Sequence, residues 1–169
     1  AQDAASTSNT SAITVAVEAI NDPPTMVEAA LETSEDQPIE VDLAQLTVDV
    51  DDDAFTWLFG DVIGGTVQMV EGTTVARFTP DANQNDETAD AGFSFVVTAD
   101  DGALQSEPVT FTVTVAALND PPVVAATALE TDEDQAVEVD LGTVTTDVDS
   151  DAFTWTVTEA VGGTVELLE

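Results

Sequence analysis

Hydrophobic residues along this chain come in short runs that alternate with polar ones, a period of two that sends successive side chains to opposite faces of a strand. The clearest runs are IEVDL (39–43), FTWLF (55–59), TVQMV (66–70), VARFT (75–79), FSFVV (93–97) and VTFTVTV (109–115), all rich in Val, Phe, Thr and Ile. Between them stand DVDDD, DVIGG, EGT, PDANQNDETADAG and DDGALQSEP, whose Gly, Pro, Asn and Asp content predicts turns and loops. No stretch carries apolar residues at helical spacing. The pattern predicts an all-β chain, with about seven strands per unit folded as a Greek-key β-sandwich. Phe55 and Trp57 would then face the core from the third strand, as Phe153 and Trp155 would in a second unit. Phe78, Phe93, Phe95 and Phe111 are predicted to complete that core.

The pattern also repeats. INDPP (20–24) returns as LNDPP (118–122), an interval of 98 residues from Asn21 to Asn119, and the same offset aligns the rest of the chain. LETSEDQPIEVDL (31–43) answers LETDEDQAVEVDL (129–141), DVDDDAFTW (49–57) answers DVDSDAFTW (147–155), and GGTV (64–67) answers GGTV (162–165). The expected organisation is a window on a longer array. Residues 1–19 would be the last strand of an upstream repeat, 20–117 a complete repeat, and 118–169 the first half of a further one.

Charge changes the picture. The 169 residues hold 35 Asp and Glu against one basic residue, Arg77, for a net charge of −34 with no Lys and no His. Nucleic acid and anionic membrane surfaces would be repelled. The chain also repels itself, so screening by salt or neutralisation by bound cations is needed. A hydrophobic content of 43% sets it apart from a disordered acidic tail. No Cys is present, so disulfides and thiolate metal sites are excluded. No apolar run approaches the roughly 20 residues of a membrane-spanning helix, so direct membrane insertion is not expected.

The acidic residues are not scattered evenly. Asp-x-Asp-x-Asp occurs at Asp49, Asp51 and Asp53, and again at Asp147, Asp149 and Asp151. Glu-Asp recurs at 35–36 and 133–134, Asn-Asp at Asn21 and Asp22 and at Asn119 and Asp120, and Asp101 matches Asp3. Alternating Asp residues before a strand crowd several carboxylates into a small volume. A hard cation with six to eight oxygen ligands, Ca²⁺ above all, relieves that repulsion. Pro-Pro behind Asn-Asp fixes φ and removes two backbone donors, which makes a stiff joint. Common descent of duplicated units on an acidic surface would also copy such letters. Yet LFGDV (58–62) and TVTEA (156–160) have drifted apart where the Asp-x-Asp and Asn-Asp positions have not.

In combination and order, NDPP, TSEDQPIEVDL, VDVDDDAFTW, GGTV, ARFTPDANQND, FSFVVTADDG and VTFTVTV make the chain resemble the cadherin-like tandem repeats of giant bacterial secreted and surface proteins, including repeats-in-toxin-type adhesins. The resemblance covers the whole chain. It implies Ig-like sandwiches stacked end to end, with Ca²⁺ at each junction. The ligands it implies are Asn21, Asp22, Asp49, Asp51 and Asp101 at the first junction, and Asn119, Asp120, Asp147 and Asp149 at the second. From the upstream repeat it implies Glu35, and Asp81 and Asn83 of PDANQ. Asn83 stands where the family has Glu, and Ala19 and Ala117 where it has the leading Asp of the linker, so one or two ions per junction are expected.

The resemblance implies an extracellular or cell-surface extension and adhesion module, whose partners are neighbouring repeats of the same chain and, beyond them, homotypic assembly or a surface glycan. A carbohydrate- or surface-binding module is the alternative, but the aromatics fall at core-facing strand positions. Acidity as salt adaptation without an ordered metal is another. An enzyme is not expected: His, Cys, Lys and Tyr are all missing, and paired carboxylates alone would need a cleft and a raised pKa to act on glycosides.

Overall fold

The computed structural model describes residues 12–51 and 54–168. The complete repeat is a β-sandwich of two sheets. Its strands in chain order are β1 (Thr25–Met26), β2 (Leu31–Ser34), β3 (Ile39–Asp42), β4 (Thr47–Val48), β5 (Thr56–Ile63), β6 (Gly65–Met69), β7 (Val75–Pro80), β8 (Phe93–Asp100) and β9 (Val109–Ala116). One sheet has the order β2-β9-β8-β5 and the other β3-β7-β6, while β1 pairs with β4 at the junction end. All pairings are antiparallel except β2 with β9, where Leu31 stands beside Val113 and Thr33 beside Val115.

Alternation decides which face is buried. Along β8, Phe93, Phe95, Val97 and Ala99 are buried, and along β9 Phe111, Val113 and Val115, with the intervening residues turned outward. Phe95 is the centre of the core, stacked between Phe78 of β7 (5.6 Å) and Phe111 (5.2 Å), with Phe59 against its edge (6.3 Å). Trp57 packs against this cluster, and its indole N–H donates to the Thr47 hydroxyl (3.0 Å), which itself donates to the Leu43 carbonyl (2.8 Å). Trp57, Phe78, Phe93, Phe95 and Phe111 are thus where the pattern put them. Phe55, by contrast, is half-buried against Trp57 (6.2 Å) outside the core cluster, and Phe153 and Trp155 contact each other (5.9 Å) without a buried cluster around that pair among the described residues.

One loop assignment is corrected. DVIGG was predicted to be a turn, but β5 continues through Asp61, Val62 and Ile63, with its register against β8 shifting between Phe59 and Val62. A bulge of this kind lets an edge strand bend without ending. The reversal itself is confined to Gly64, at φ +71°.

The second unit repeats the start of the first. β10 (Val123–Val124) pairs with β11 (Thr145–Thr146) as β1 does with β4, and Trp155 donates to Thr145 at 3.0 Å. The counterparts of β2, β3, β5 and β6 carry no ladder. In the complete repeat each of those strands pairs with β7, β8 or β9, and residues 118–168 contain no counterpart of these three. Residues 12–24 likewise run without a strand, with Ile13, Val15 and Val17 exposed.

Candidate functional site: the acidic junctions

The Asn-Asp-Pro-Pro linkers are tied to the Asp-x-Asp loops by the same bonds at both junctions. At the first, the Asp22 amide donates to Asp51 Oδ2 (2.9 Å) and the Asp51 amide to Asp49 Oδ1 (2.7 Å). At the second, the Asp120 amide donates to Asp149 Oδ2 (2.6 Å) and the Asp149 amide to Asp147 Oδ1 (2.8 Å). Asn21 and Asn119 each donate to the carbonyl of the following Asp, at 3.0 and 2.8 Å. Two copies of one network, 98 positions apart, fold from the motifs singled out in the sequence.

Asp101 joins the first junction from the loop after β8. Its carboxylate accepts from Asn21 Nδ2 (3.0 Å) and from the amides of Ala103 and Leu104 (both 2.7 Å). The Asn21 bond first, and then these amides, hold its pKa below the ordinary 3.8. Asp3 and Asp53 lie outside the described residues.

The upstream half of a junction is seen at the second one. Where β2 ends and the chain crosses to the other sheet, Glu35 and Asp36 make the corner, Asp36 with φ +60°. Asp36 Oδ1 accepts the Asn83 amide (3.1 Å), which brings the PDANQ loop to the same end of the sandwich. Asn83 then lines an open cleft with Asp120, Pro121, Val123, Thr146 and Asp147. Glu35 is 1% exposed, and its Oε1 accepts from Asn85 Nδ2 (3.1 Å) and from the Leu118 amide (2.7 Å).

Asp120 sits where these parts meet. Its pKa is raised, first by desolvation and then by the negative charges of Asp36, Asp149, Glu35 and Asp147, two from each repeat. Its Oδ2 is shut off from solvent and has no hydrogen-bond partner among the described residues. The groups that face Asp120 are the further carboxylates of Asp36, Asp149, Glu35 and Asp147, oxygen ligands of the type a hard divalent cation would take. The groups converge without closing into a ready cage, as no group of three or more acidic residues among those described is already drawn together for a metal.

Two nominated residues are not brought to this point. Asp81 contributes backbone bonds to Gly64 and Gln84 at the turn leading to Asn83, and Asp151 lies exposed beyond the Asp147–Ser150 turn. Neither is among the charges facing Asp120. Conversely, Asp36 was legible only as the second letter of the repeated Glu-Asp pair. Its counterpart Asp134 has the same backbone conformation, φ +62°.

Two face-to-face sheets, an acidic linker and a duplicated linker-to-loop network define an Ig-like β-sandwich repeat built for tandem arrays. The chain belongs to the bacterial Ig domain family, whose model matches residues 21–114 and again 119–169. Such domains are structural modules of bacterial surface and extracellular proteins and are typically not enzymes. No curated protein matches the chain in sequence. Among solved structures, an endo-fucoidan hydrolase of glycoside hydrolase family 107 is similar at 18% identity and a TM-score of 0.42, over 60% of this chain and 16% of that one. At that score the likeness carries no inference about activity.

Proposed function

We propose that this chain is an extension and adhesion module of a large extracellular repeat protein, stiffened by Ca²⁺ bound where successive repeats meet. The single observation that carries this reading is the setting of Asp120. Its carboxylate lies on the linker and faces Glu35 and Asp36 of the repeat behind and Asp147 and Asp149 of the repeat ahead. A cation there would bond to both repeats and to the linker at once, and so would remove the hinge rather than decorate a surface. Glu35, Asp36, Asp120, Asp147 and Asp149, with Asn83, would hold it. Asn21, Asp22, Asp49, Asp51 and Asp101 would form the downstream half of the equivalent site.

Extracellular calcium modules bind with dissociation constants of roughly 10⁻⁴–10⁻³ M. At about tenfold excess over such a constant, mass action stabilises each site by ~1.4 kcal/mol. For a unit of this size that corresponds to a rise in melting temperature of about 4–8 °C per kcal/mol. Thermal unfolding at constant high ionic strength tests the reading. Ca²⁺ at millimolar levels should raise the transition, and equivalent Mg²⁺ or NaCl should not. Equal responses to all three would mean that the acidity serves salt adaptation without an ordered ion.

A further inference from the structure

The linker leaves the complete repeat at Ala116–Leu118, directly over the corner made by Glu35. Three bonds fasten it there. The Glu35 amide donates to the Ala116 carbonyl (2.9 Å), and Glu35 Oε1 accepts the Leu118 amide (2.7 Å) and Asn85 Nδ2 (3.1 Å). Asn85 is itself fixed, 5% exposed, with its amide donating to the Thr88 hydroxyl and its Oδ1 accepting the Glu87 amide. The next residue, Asp86, clamps the same loop to β9 by exchanging two bonds with Val115, each 3.0 Å. A buried carboxylate is tolerated only when its oxygens are satisfied, and bonds to an ionised acceptor are among the stronger ones.

We infer that Glu35, oriented by Asn85, is a metal-independent latch that docks the outgoing linker on the repeat at Leu118. The latch sets the direction in which Asn119 and Asp120 leave the sandwich before any cation is present. Its partners are all protein groups, so it acts at calcium concentrations too low for the junction to fill. Asn85 is thus a positioning residue, acting through Glu35 and touching no ligand.

Amide hydrogen exchange of the full chain, in chelator and at screened ionic strength, tests this. In the wild type the Leu118 amide should exchange at least roughly tenfold more slowly than a free-peptide amide, the weight of one charge-assisted bond. Asn85→Ala should remove most of that protection while the amides of Phe95 and Phe111 stay protected, showing that the sandwich is intact. Should Asn85→Ala also expose those core amides, Leu118→Pro decides, since it removes the donor from the linker alone. It should lower the backbone order parameter of Asn119 from near 0.85 toward flexible values below about 0.6. Free-peptide exchange at Leu118 in the wild type, or an Asn119 order parameter unmoved by Leu118→Pro, would overturn the latch. Protection that persists in a chain showing no calcium response would leave the latch standing and refute only the calcium reading.

Discussion

The Thr47 hydroxyl accepts from Trp57 and donates to Leu43, so one small side chain settles two buried polar groups. Thr47→Val keeps the shape and strands the indole N–H, which should cost about 1–3 kcal/mol, read as a lower denaturant midpoint with unchanged slope. Two carboxylates should titrate on opposite sides of 3.8. Asp101, whose pKa is depressed by the Asn21 bond, contributes stability that is present above its unfolded value and is lost as pH falls through the lower folded one. Asp120, whose pKa is raised, counts against the folded state at neutral pH, a penalty relieved as pH falls through the raised value. Carboxyl-carbon NMR titration should find Asp120 above 3.8 and Asp101 below it; the reverse order would contradict the convergence of charge at the second junction. At this scale the sequence named most of the junction. Asp36 escaped because a Glu-Asp pair does not say which of its two side chains turns toward the linker.

Among elements, the two-residue alternation located every strand of the complete repeat's two large sheets except the far end of β5 and the short β2. Gly60 and Asp61 have the composition of a turn, but the sheet overrides them. A bulge carries β5 on, and a Cβ at Gly60 would stand 3.3 Å from Val96. The parallel pairing of β2 with β9 had no local signature, because it joins residues about 80 positions apart through tertiary packing. The segment at 13–17 shows the converse: its alternation is strand-like, but propensity supplies no partner, and it carries no ladder. The corner after β5 is more demanding than its letters suggest. A Cβ on Gly65 would meet the Thr79 carbonyl oxygen at 2.4 Å and the Phe78 ring at 2.7 Å. Gly65→Ala should therefore destabilise the repeat by about 1–3 kcal/mol through overpacking, whereas Gly72→Ala, where nothing lies within 4 Å but φ is +73°, should cost only backbone strain of about 1 kcal/mol. Similar losses at both positions would argue against close packing of β6 on β7.

For the whole molecule, 98-residue periodicity and a net charge of −34 belong to one design. On the proposed reading each repeat supplies half of the groups at its two ends, a junction is complete only between neighbours, and a bound cation would offset the mutual repulsion of its carboxylates. The sandwich and its linkers were legible because hydrophobic period and turn chemistry are local. The meeting of Glu35 and Asn83 with Asp120 was expected only through the family resemblance, and the part of Asp36 not at all, since it depends on two loops and a corner closing at one end of the fold. The most direct test of the account is amide and carboxyl NMR shift mapping during a Ca²⁺ titration at constant high ionic strength. The account predicts saturable shifts confined to Glu35, Asp36, Asn83, Asp120, Asp147 and Asp149 and to their first-junction equivalents, half-complete near ~0.1–1 mM and not reproduced by Mg²⁺. Small, unsaturated shifts spread over the acidic surface, or the same shifts with Mg²⁺, would contradict it.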